Sequence, residues 1–270
     1  MAKIDKMIVM EIAPGTYAIN ECGMAAMYLL IGKERALLID TGVGTLDLKG
    51  FVETMTTLPY DVVLTHAHTD HTGAAPQFSS VYLHESEWDA LRKIDYNKAE
   101  EYARAIGEAG AFEVFGYRPD DVIRYEEMPE TKPLREGMVF ALGDRDVEVI
   151  ETPGHTRGSC SLLDRKNRIL FSGDACNENL LICDGDAAVL YETLVKLKML
   201  EEAFDRNYSG HLGYAGNCIH RSQLYGVLDD ALYICEKMLH GRADMQDEEN
   251  ALNHKIVQYM RHGTVKITLM

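Results

Sequence analysis

Alternating apolar and polar positions dominate the first forty residues and predict a β meander. Pro14-Gly15 and Gly32-Lys33-Glu34 interrupt this pattern with residues that favour turns. The strands predicted between these turns cover residues 8–11, 16–20, 24–31 and 36–39. The chain is therefore expected to begin as a sheet of sequential strands.

Helical spacing becomes prominent after the meander. From residue 85 to about residue 115, apolar residues such as Trp88, Leu91 and Ile94 recur at helical intervals. Gly110 and Gly116 punctuate this stretch, which is also rich in aromatic residues expected to serve packing. The other elements predicted before it are a helix over residues 46–55 and strands over residues 61–64 and 81–83.

The second half alternates between strands and helices. Its predicted strands cover residues 138–142, 147–152, 160–163 and 168–171, with a closing edge strand over residues 264–269. Leu190, Leu194 and Leu197 share one helix face, and a long helix is expected from Leu224 to about residue 239. Because no low-complexity or proline-rich linker divides the chain, a single domain over residues 1–270 is predicted.

Composition narrows the class of protein. The 270 residues are 46% hydrophobic and carry a net charge of -16, which argues against a nucleic-acid surface. No apolar run reaches the roughly 20 residues that a membrane helix needs, and no secretory signal is visible at the start. The six cysteines lack C-x-x-C spacing and are interpreted as reduced thiols, so a cytoplasmic location without a membrane partner is expected.

One short segment concentrates the candidate chemistry. His66, His68, Asp70 and His71 lie within six residues, after the apolar run 62–64 and before Gly73. Imidazole and carboxylate groups are ligands for zinc and similar divalent ions. In an extended backbone His66 and His68 face the same way, whereas Asp70 and His71 follow the turn. The segment therefore predicts a metal site, and two ions suit its geometry better than one.

This H-x-H-x-D-H pattern resembles the signature of the metallo-β-lactamase superfamily. Four further stretches resemble the family's motifs in the family's order, and they are residues 37–42, 152–156, 171–174 and 209–211. The resemblance implies an α/β (α+β) fold, a four-layer αββα sandwich with two mixed β-sheets and the metals at the rim between them. It also makes residues from 85 to about 130 a helical insertion, which either shapes the substrate pocket or is a surface excursion.

The resemblance further implies a binuclear centre. Two divalent ions are expected, with zinc favoured and iron or manganese as alternatives. A hydroxide shared by the ions would be the nucleophile, Asp70 would also orient it, and Asp40 would orient a ligand histidine. The implied first-ion ligands are His66, His68 and His155, the second-ion ligands are Asp70, His71 and His211, and Asp174 bridges both.

Residues close to these motifs are candidates for contact with a small-molecule substrate. Tyr214, three residues after His211, is the first choice as an oxyanion donor. Asn177, Arg157 and His220 are further candidates. Cys176 is expected to neighbour the metals rather than bind them, and His84 is expected to be a loop residue.

The function expected from this chemistry is hydrolysis of a small ester, thioester or lactone. The alternatives are a small-molecule phosphodiesterase, and, from another class, a metal-binding sensor without turnover. A glutathione thioester is disfavoured because the C-terminal part lacks a basic glutathione-binding pattern. A homo-oligomer is compatible with the sequence.

Overall fold

The N-terminal half forms a seven-stranded mixed sheet in a computed structural model, which describes residues 7–184, 186–213, 226–250 and 254–270. The first four strands pair antiparallel as the predicted meander, and the last three continue in parallel. Spatial order follows chain order. The strands are β1 (Met7–Ala13), β2 (Thr16–Glu21), β3 (Ala25–Ile31), β4 (Ala36–Ile39), β5 (Tyr60–Val63), β6 (Ser80–Leu83) and β7 (Glu130–Pro133).

Five helices connect or follow these strands. The first begins later than predicted because Asp47 caps it, its carboxylate accepting a hydrogen bond from the Gly50 backbone at 2.9 Å. A kink at Gly110, where φ is 123°, separates the last two. The helices are α1 (Leu48–Met55), α2 (Thr69–Thr72), α3 (Trp88–Leu91), α4 (Tyr96–Ile106) and α5 (Phe112–Phe115).

The C-terminal half forms two further sheets. The elements of this half are β8 (Val139–Ala141), β9 (Asp146–Glu151), β10 (Cys160–Asp164), β11 (Ile169–Gly173), β12 (Asn179–Ile182), α6 (Ala187–Met199), β13 (Arg206–Ser209), α7 (Val227–Leu239), β14 (Gln246–Glu249), β15 (Ile256–His262) and β16 (Val265–Leu269). Five of these strands make a mixed sheet in the order β13-β11-β10-β9-β8, and four make a small sheet in the order β12-β16-β15-β14. The predicted closing strand, β16, is not an edge, because it lies between β12 and β15.

The hydrophobic clusters define four layers. One cluster joins Tyr28 and Leu37 of the N-terminal sheet to Phe171 of the five-stranded sheet, so the two sheets pack face to face. A second cluster packs the other face of the N-terminal sheet against α1, through Phe51. A third packs α6 and α7 against the five-stranded sheet and the small sheet. The result is the αββα sandwich of two mixed sheets that the sequence predicted, with the small sheet added beside it.

The helical stretch between β6 and β7 packs on the turn between β2 and β3. Ala99 and Ala103 of α4 share a buried cluster with Met24 of that turn and Ala25 at the start of β3. The Tyr102 hydroxyl donates a hydrogen bond to the Met24 carbonyl at 2.7 Å. Among the described helices, none has both the length and the apolar character needed to cross a bilayer.

Candidate metal centre

The segment after β5 delivers four of the predicted ligands to one rim of the sandwich. Asp40 fixes its first residue, since one carboxylate oxygen accepts from the Thr65 backbone at 2.7 Å and the other from the Thr65 hydroxyl at 2.8 Å. Asp40 has a φ of 61°, a left-handed conformation that aspartate tolerates better than most residues. His66 and His68 then precede α2, and α2 turns Asp70 and His71 toward the same space.

Tight backbone approaches bring the ligands of the second half to the same rim. Gly173 has a φ of 50°, and a Cβ there would lie 2.7 Å from the Thr65 side chain. A Cβ on Gly210 would lie 2.2 Å from Cε1 of the His71 ring. Glycine is therefore required where Asp174 and His211 approach the first half.

Three histidines form the first group of donors. Nδ1 of His68 lies 3.1 Å from Nε2 of His66 and 2.9 Å from Nε2 of His155. These nitrogens face one another although the residues come from two different halves of the chain. Three imidazole nitrogens this close to one another match the donor set of a divalent ion.

Asp70, His71 and His211 form the second group. Oδ2 of Asp70 lies 3.7 Å from Nε2 of His71 and 3.5 Å from Nε2 of His211. Asp174 lies between the groups, since its Oδ2 is 3.2 Å from Nε2 of His211 and 3.7 Å from Nε2 of His155. The structure thus brings together all seven ligands that the sequence predicted.

The outer nitrogens of three imidazoles are held by the protein. Nδ1 of His71 lies 2.9 Å from Oδ2 of Asp40. Nδ1 of His155 donates to the Leu181 carbonyl at 2.8 Å, and Nδ1 of His211 donates to the Met24 carbonyl at 3.0 Å. These contacts fix the tautomer in which Nε2 is left to bind a cation. Because Tyr102 of α4 donates to that same Met24 carbonyl, the helical stretch between β6 and β7 is linked through one shared carbonyl to a candidate ligand.

Two buried atoms indicate that the cluster fits a cation. Nε2 of His71 and Oδ1 of Asp174 are inaccessible to solvent and have no hydrogen-bond partner in the described part of the chain. Buried polar atoms are normally paired, because an unpaired one costs about 1–3 kcal/mol. Nε2 of His71 lies 3.7 Å from Oδ2 of Asp70 and 3.6 Å from Oδ2 of Asp174, so a divalent ion among these donors would satisfy it.

The electrostatics of the cluster also favour a bound cation. Burial lowers the pKa of His66, and burial together with His155 lowers the pKa of His68 to about 4, so both rings are neutral as metal ligands must be. Burial disfavours charge on Asp174, but His211 and His71 outweigh it and hold the pKa of that carboxyl well below its usual range. Burial also opposes charge on His71, yet Asp70 and Asp174 outweigh it and raise its pKa, so this ring holds a proton that a divalent ion would replace. The cluster therefore presents carboxylate charge that a cation would neutralise.

The residues predicted to contact substrate differ in their exposure and hydrogen bonding. Arg157 is exposed, and its Nε donates to the Asp184 carbonyl at 3.3 Å. Asn177 is buried, and its side-chain oxygen accepts a hydrogen bond from the Asn179 backbone at 2.7 Å. Tyr214 and His220 lie outside the described residues.

Two further residues near the motifs have local partners. Cys176 is buried in the cluster beneath α6 and α7, and no ligand group found among the described residues includes a cysteine. His84 accepts from the Ser86 backbone, and its Nε2 lies 3.5 Å from Glu151. Glu87 has a role near the site that the sequence does not reveal: it is buried, and its carboxylate accepts hydrogen bonds from the loops of both halves.

Comparison with known proteins matches this architecture. The family model described as the metallo-beta-lactamase superfamily matches residues 20–204. The solved structure of DIM-1 metallo-beta-lactamase is similar with a TM-score of 0.61 at 14% identity, covering 88% of this chain and 100% of that one. The archaeal superfamily protein ST1585 from Sulfolobus tokodaii is similar with a TM-score of 0.54 at 21% identity, covering 84% and 83%.

Curated relatives are similar at higher identity. Acyl-coenzyme A thioesterase MBLAC2 of Gallus gallus is 32% identical over 196 residues, which cover 67% of this chain and 68% of that protein. The Homo sapiens protein of the same name is 33% identical over 170 residues, covering 58% and 60%. The matched region thus spans 68% of the length of the first relative and 60% of the length of the second.

The chain belongs to the metallo-β-lactamase superfamily. The predicted family and fold are confirmed, and so is the prediction of a hydrolase that binds metal.

Proposed function

We propose that this chain is a cytoplasmic thioesterase that hydrolyses small acyl thioesters at a centre of two divalent ions, with zinc as the native metal. The observation that carries the proposal is the convergence of seven nitrogen and oxygen donors, with Nε2 of His71 and Oδ1 of Asp174 left unpaired in the described residues. The five described cysteines are free thiols, which supports a reducing compartment.

The arrangement of donors supports two ions rather than one. His66, His68 and His155 form one group, and Asp70, His71 and His211 form the other. Asp174 lies within 3.7 Å of an imidazole nitrogen of each group, so it is the proposed bridge. A donor set without sulfur accepts zinc, iron or manganese, and metal analysis of the purified protein would test the choice of zinc.

The chain's own residues have distinct tasks in this reaction. When bound, the two ions supply a water of lowered pKa and polarise the thioester carbonyl. Asp70, whose side chain is 17% exposed against 10% for Asp174, is the carboxylate more open to substrate and is proposed to orient the attacking water. Asp40 and the carbonyls of Leu181 and Met24 keep three imidazoles in the tautomer that binds metal. Tyr214 stays a proposed oxyanion donor.

The substrate class follows from the relatives named acyl-coenzyme A thioesterase. A thioester is also one of the carbonyl substrates expected from the ligand set. A glutathione thioester remains disfavoured for the lack of basic residues noted above. We therefore propose an acyl thioester whose thiol part is not glutathione.

The test is a hydrolysis panel on purified, metal-replete protein. It contains an acyl-coenzyme A thioester, an acyl-homoserine lactone, an aryl ester and a phosphodiester. Asp70→Asn is assayed beside the wild type and is expected to lose about 10²–10⁴-fold in kcat/KM on the thioester, the range for removing a positioned proton-transfer group. Asp89→Asn is the matched control, because Asp89 is exposed and pairs with Arg92 on the surface.

Each outcome decides between the candidate functions. Thioester turnover that Asp70→Asn loses and Asp89→Asn keeps would support the proposal. Cleavage of the phosphodiester alone would establish the phosphodiesterase alternative. Two bound ions without turnover of any panel member would favour the metal-binding sensor, and equal activity in wild type and Asp70→Asn would contradict the role of Asp70.

A further inference from the structure

A single buried carboxylate connects the two loops that carry the first group of histidines. Glu87 lies in the turn of residues 85–87 after β6, and only 4% of it is exposed. Its Oε2 accepts a hydrogen bond from the Ala67 backbone at 3.0 Å. Its Oε1 accepts one from the Gly158 backbone at 2.8 Å. Both oxygens are therefore engaged, each by a different loop.

The positions of the two donors matter for the metal centre. Ala67 lies between His66 and His68, so its peptide N–H belongs to the backbone that spaces these two ligands. Gly158 closes the loop that begins with His155, whose Nε2 lies 2.9 Å from Nδ1 of His68. Glu87 thus binds the backbone between His66 and His68 and the loop that begins with His155, without being a candidate ligand itself.

A second contact between the loops shows what Glu87 adds. The Cys160 backbone donates a hydrogen bond to the Thr65 carbonyl at 2.8 Å. This contact joins the first loop just after β5 to the second loop where it enters β10. One contact allows the loops to pivot about it. The carboxylate supplies two more hydrogen bonds closer to the histidines, and together the three contacts fix the relative orientation of the loops.

The loop of the second half is shaped to admit this carboxylate. A Cβ on Gly158 would lie 2.6 Å from Cγ of Glu87 and 2.9 Å from its Oε1. Only glycine permits the approach without displacing the glutamate. The fit is therefore reciprocal, since the side chain occupies the space that the missing Cβ leaves open.

We propose that Glu87 is a positioning residue for the ion held by His66, His68 and His155. The inference rests on the proposed function for the presence of that ion. Loss of Glu87 is expected to weaken the first ion selectively, because the second group is positioned by other partners, Asp40 on His71 and the Met24 carbonyl on His211. Partners that orient metal ligands typically contribute about 10–100-fold in affinity.

The test measures binding of zinc and cobalt to metal-free protein by calorimetry and by the visible spectrum of cobalt. In Glu87→Gln, the amide NH₂ would face one of the two backbone N–H donors, so one hydrogen bond is lost while size is kept. We expect one ion to bind about 10–100-fold more weakly, with a changed cobalt spectrum, and the other ion to bind as in the wild type. Glu85→Gln is the matched control, because Glu85 lies in the same turn but is exposed and pairs with Arg135.

A second variant keeps the inference testable if Glu87→Gln does not fold. Gly158→Ala pushes against Glu87, and at 2.9 Å also against Nδ1 of His84, from the opposite loop and is expected to weaken the same ion. Unchanged affinity for both ions in a folded variant would overturn the role of Glu87. A wild-type chain that binds no ion would instead contradict the proposed function, so the two failures are distinguishable.

Discussion

Replacing Gly210 with alanine tests the ligand geometry most directly. Gly210 is buried and immediately precedes His211. The new Cβ would lie 2.2 Å from Cε1 of His71 and 2.8 Å from Oδ1 of Asp174, whereas ordinary contacts begin at 3.4 Å. One methyl group would therefore press on a proposed ligand of the second ion and on the proposed bridge together.

The size of the effect follows from these distances. The His71 ring must move by 3.4 minus 2.2, or 1.2 Å, to restore an ordinary contact. That shift exceeds the tolerance of roughly 0.5 Å for a preorganised site, and a misplacement of about 1 Å can cost about 100-fold in rate. The ring cannot move freely, because Asp40 holds its Nδ1 at 2.9 Å. We expect kcat/KM to fall about 100-fold or more and the second ion to be lost.

The assay combines metal content, kinetics and the unfolding midpoint measured with chelator. Overpacking alone is expected to cost about 1–3 kcal/mol in the metal-free protein. Gly137→Ala is the matched control, because Gly137 has a φ of 73° with open space around its Cβ position. That variant is expected to lose about 1–2 kcal/mol from backbone strain while it keeps both ions and full activity.

One result would refute this reasoning. If Gly210→Ala binds two ions and turns substrate over at the wild-type rate, the rings are not held as the structure indicates. If Gly137→Ala lost metal to the same extent, the loss would reflect general destabilisation rather than displaced ligands.

Two further predictions concern buried charges away from the centre. Arg145 donates to Asp164 at 3.0 Å with both side chains buried, so Arg145→Met is expected to cost about 3–5 kcal/mol in urea unfolding, and adding Asp164→Leu is expected to recover part of that loss. Equal stability of the single and double variants would contradict this coupling. Burial raises the pKa of Glu21 although Thr45 and Val43 donate to it. Because the folded-state pKa lies above the unfolded value, Glu21 stabilises the fold below about pH 4.5, and this contribution disappears as pH rises through its folded-state pKa. Urea unfolding of metal-free protein across pH 4–8 is expected to give a flatter profile for Glu21→Gln, and parallel profiles would refute it.

Much of the fold could be predicted where local pattern and tertiary structure agree. The meander and the strands before the ligand loops are apolar on at least one face, so their periodicity survives in the sequence. The ligand loops were found because each places rare chemistry next to glycine, as in Gly154-His155 and Gly210-His211. These signals are local, and no long-range contact is needed to recognise them.

The remainder depends on partners distant in sequence. Strand β14 contains the polar residues Gln246 to Glu249 and forms by pairing with β15, so it has no hydrophobic pattern of its own. The sequence predicts β16 as an edge strand, which is wrong, because its parallel neighbour, β12, lies more than eighty residues earlier and leaves no local signal. Nothing in the local sequence marks Glu87, since only the folded chain brings the Gly158 backbone to it.

The distribution of donors along the chain affects how metal couples to stability. His66, His68, Asp70 and His71 are contiguous, so an unfolded chain already offers a chelating peptide. His155, Asp174 and His211 join them only after both sheets have assembled. An ion that also binds the unfolded state stabilises the native state by less than its affinity for the native state implies. The increase in the free energy of unfolding on metal binding would therefore come chiefly from His155, Asp174 and His211. If the proposed centre binds metal, a nascent chain is expected to acquire an ion early and to complete its coordination last.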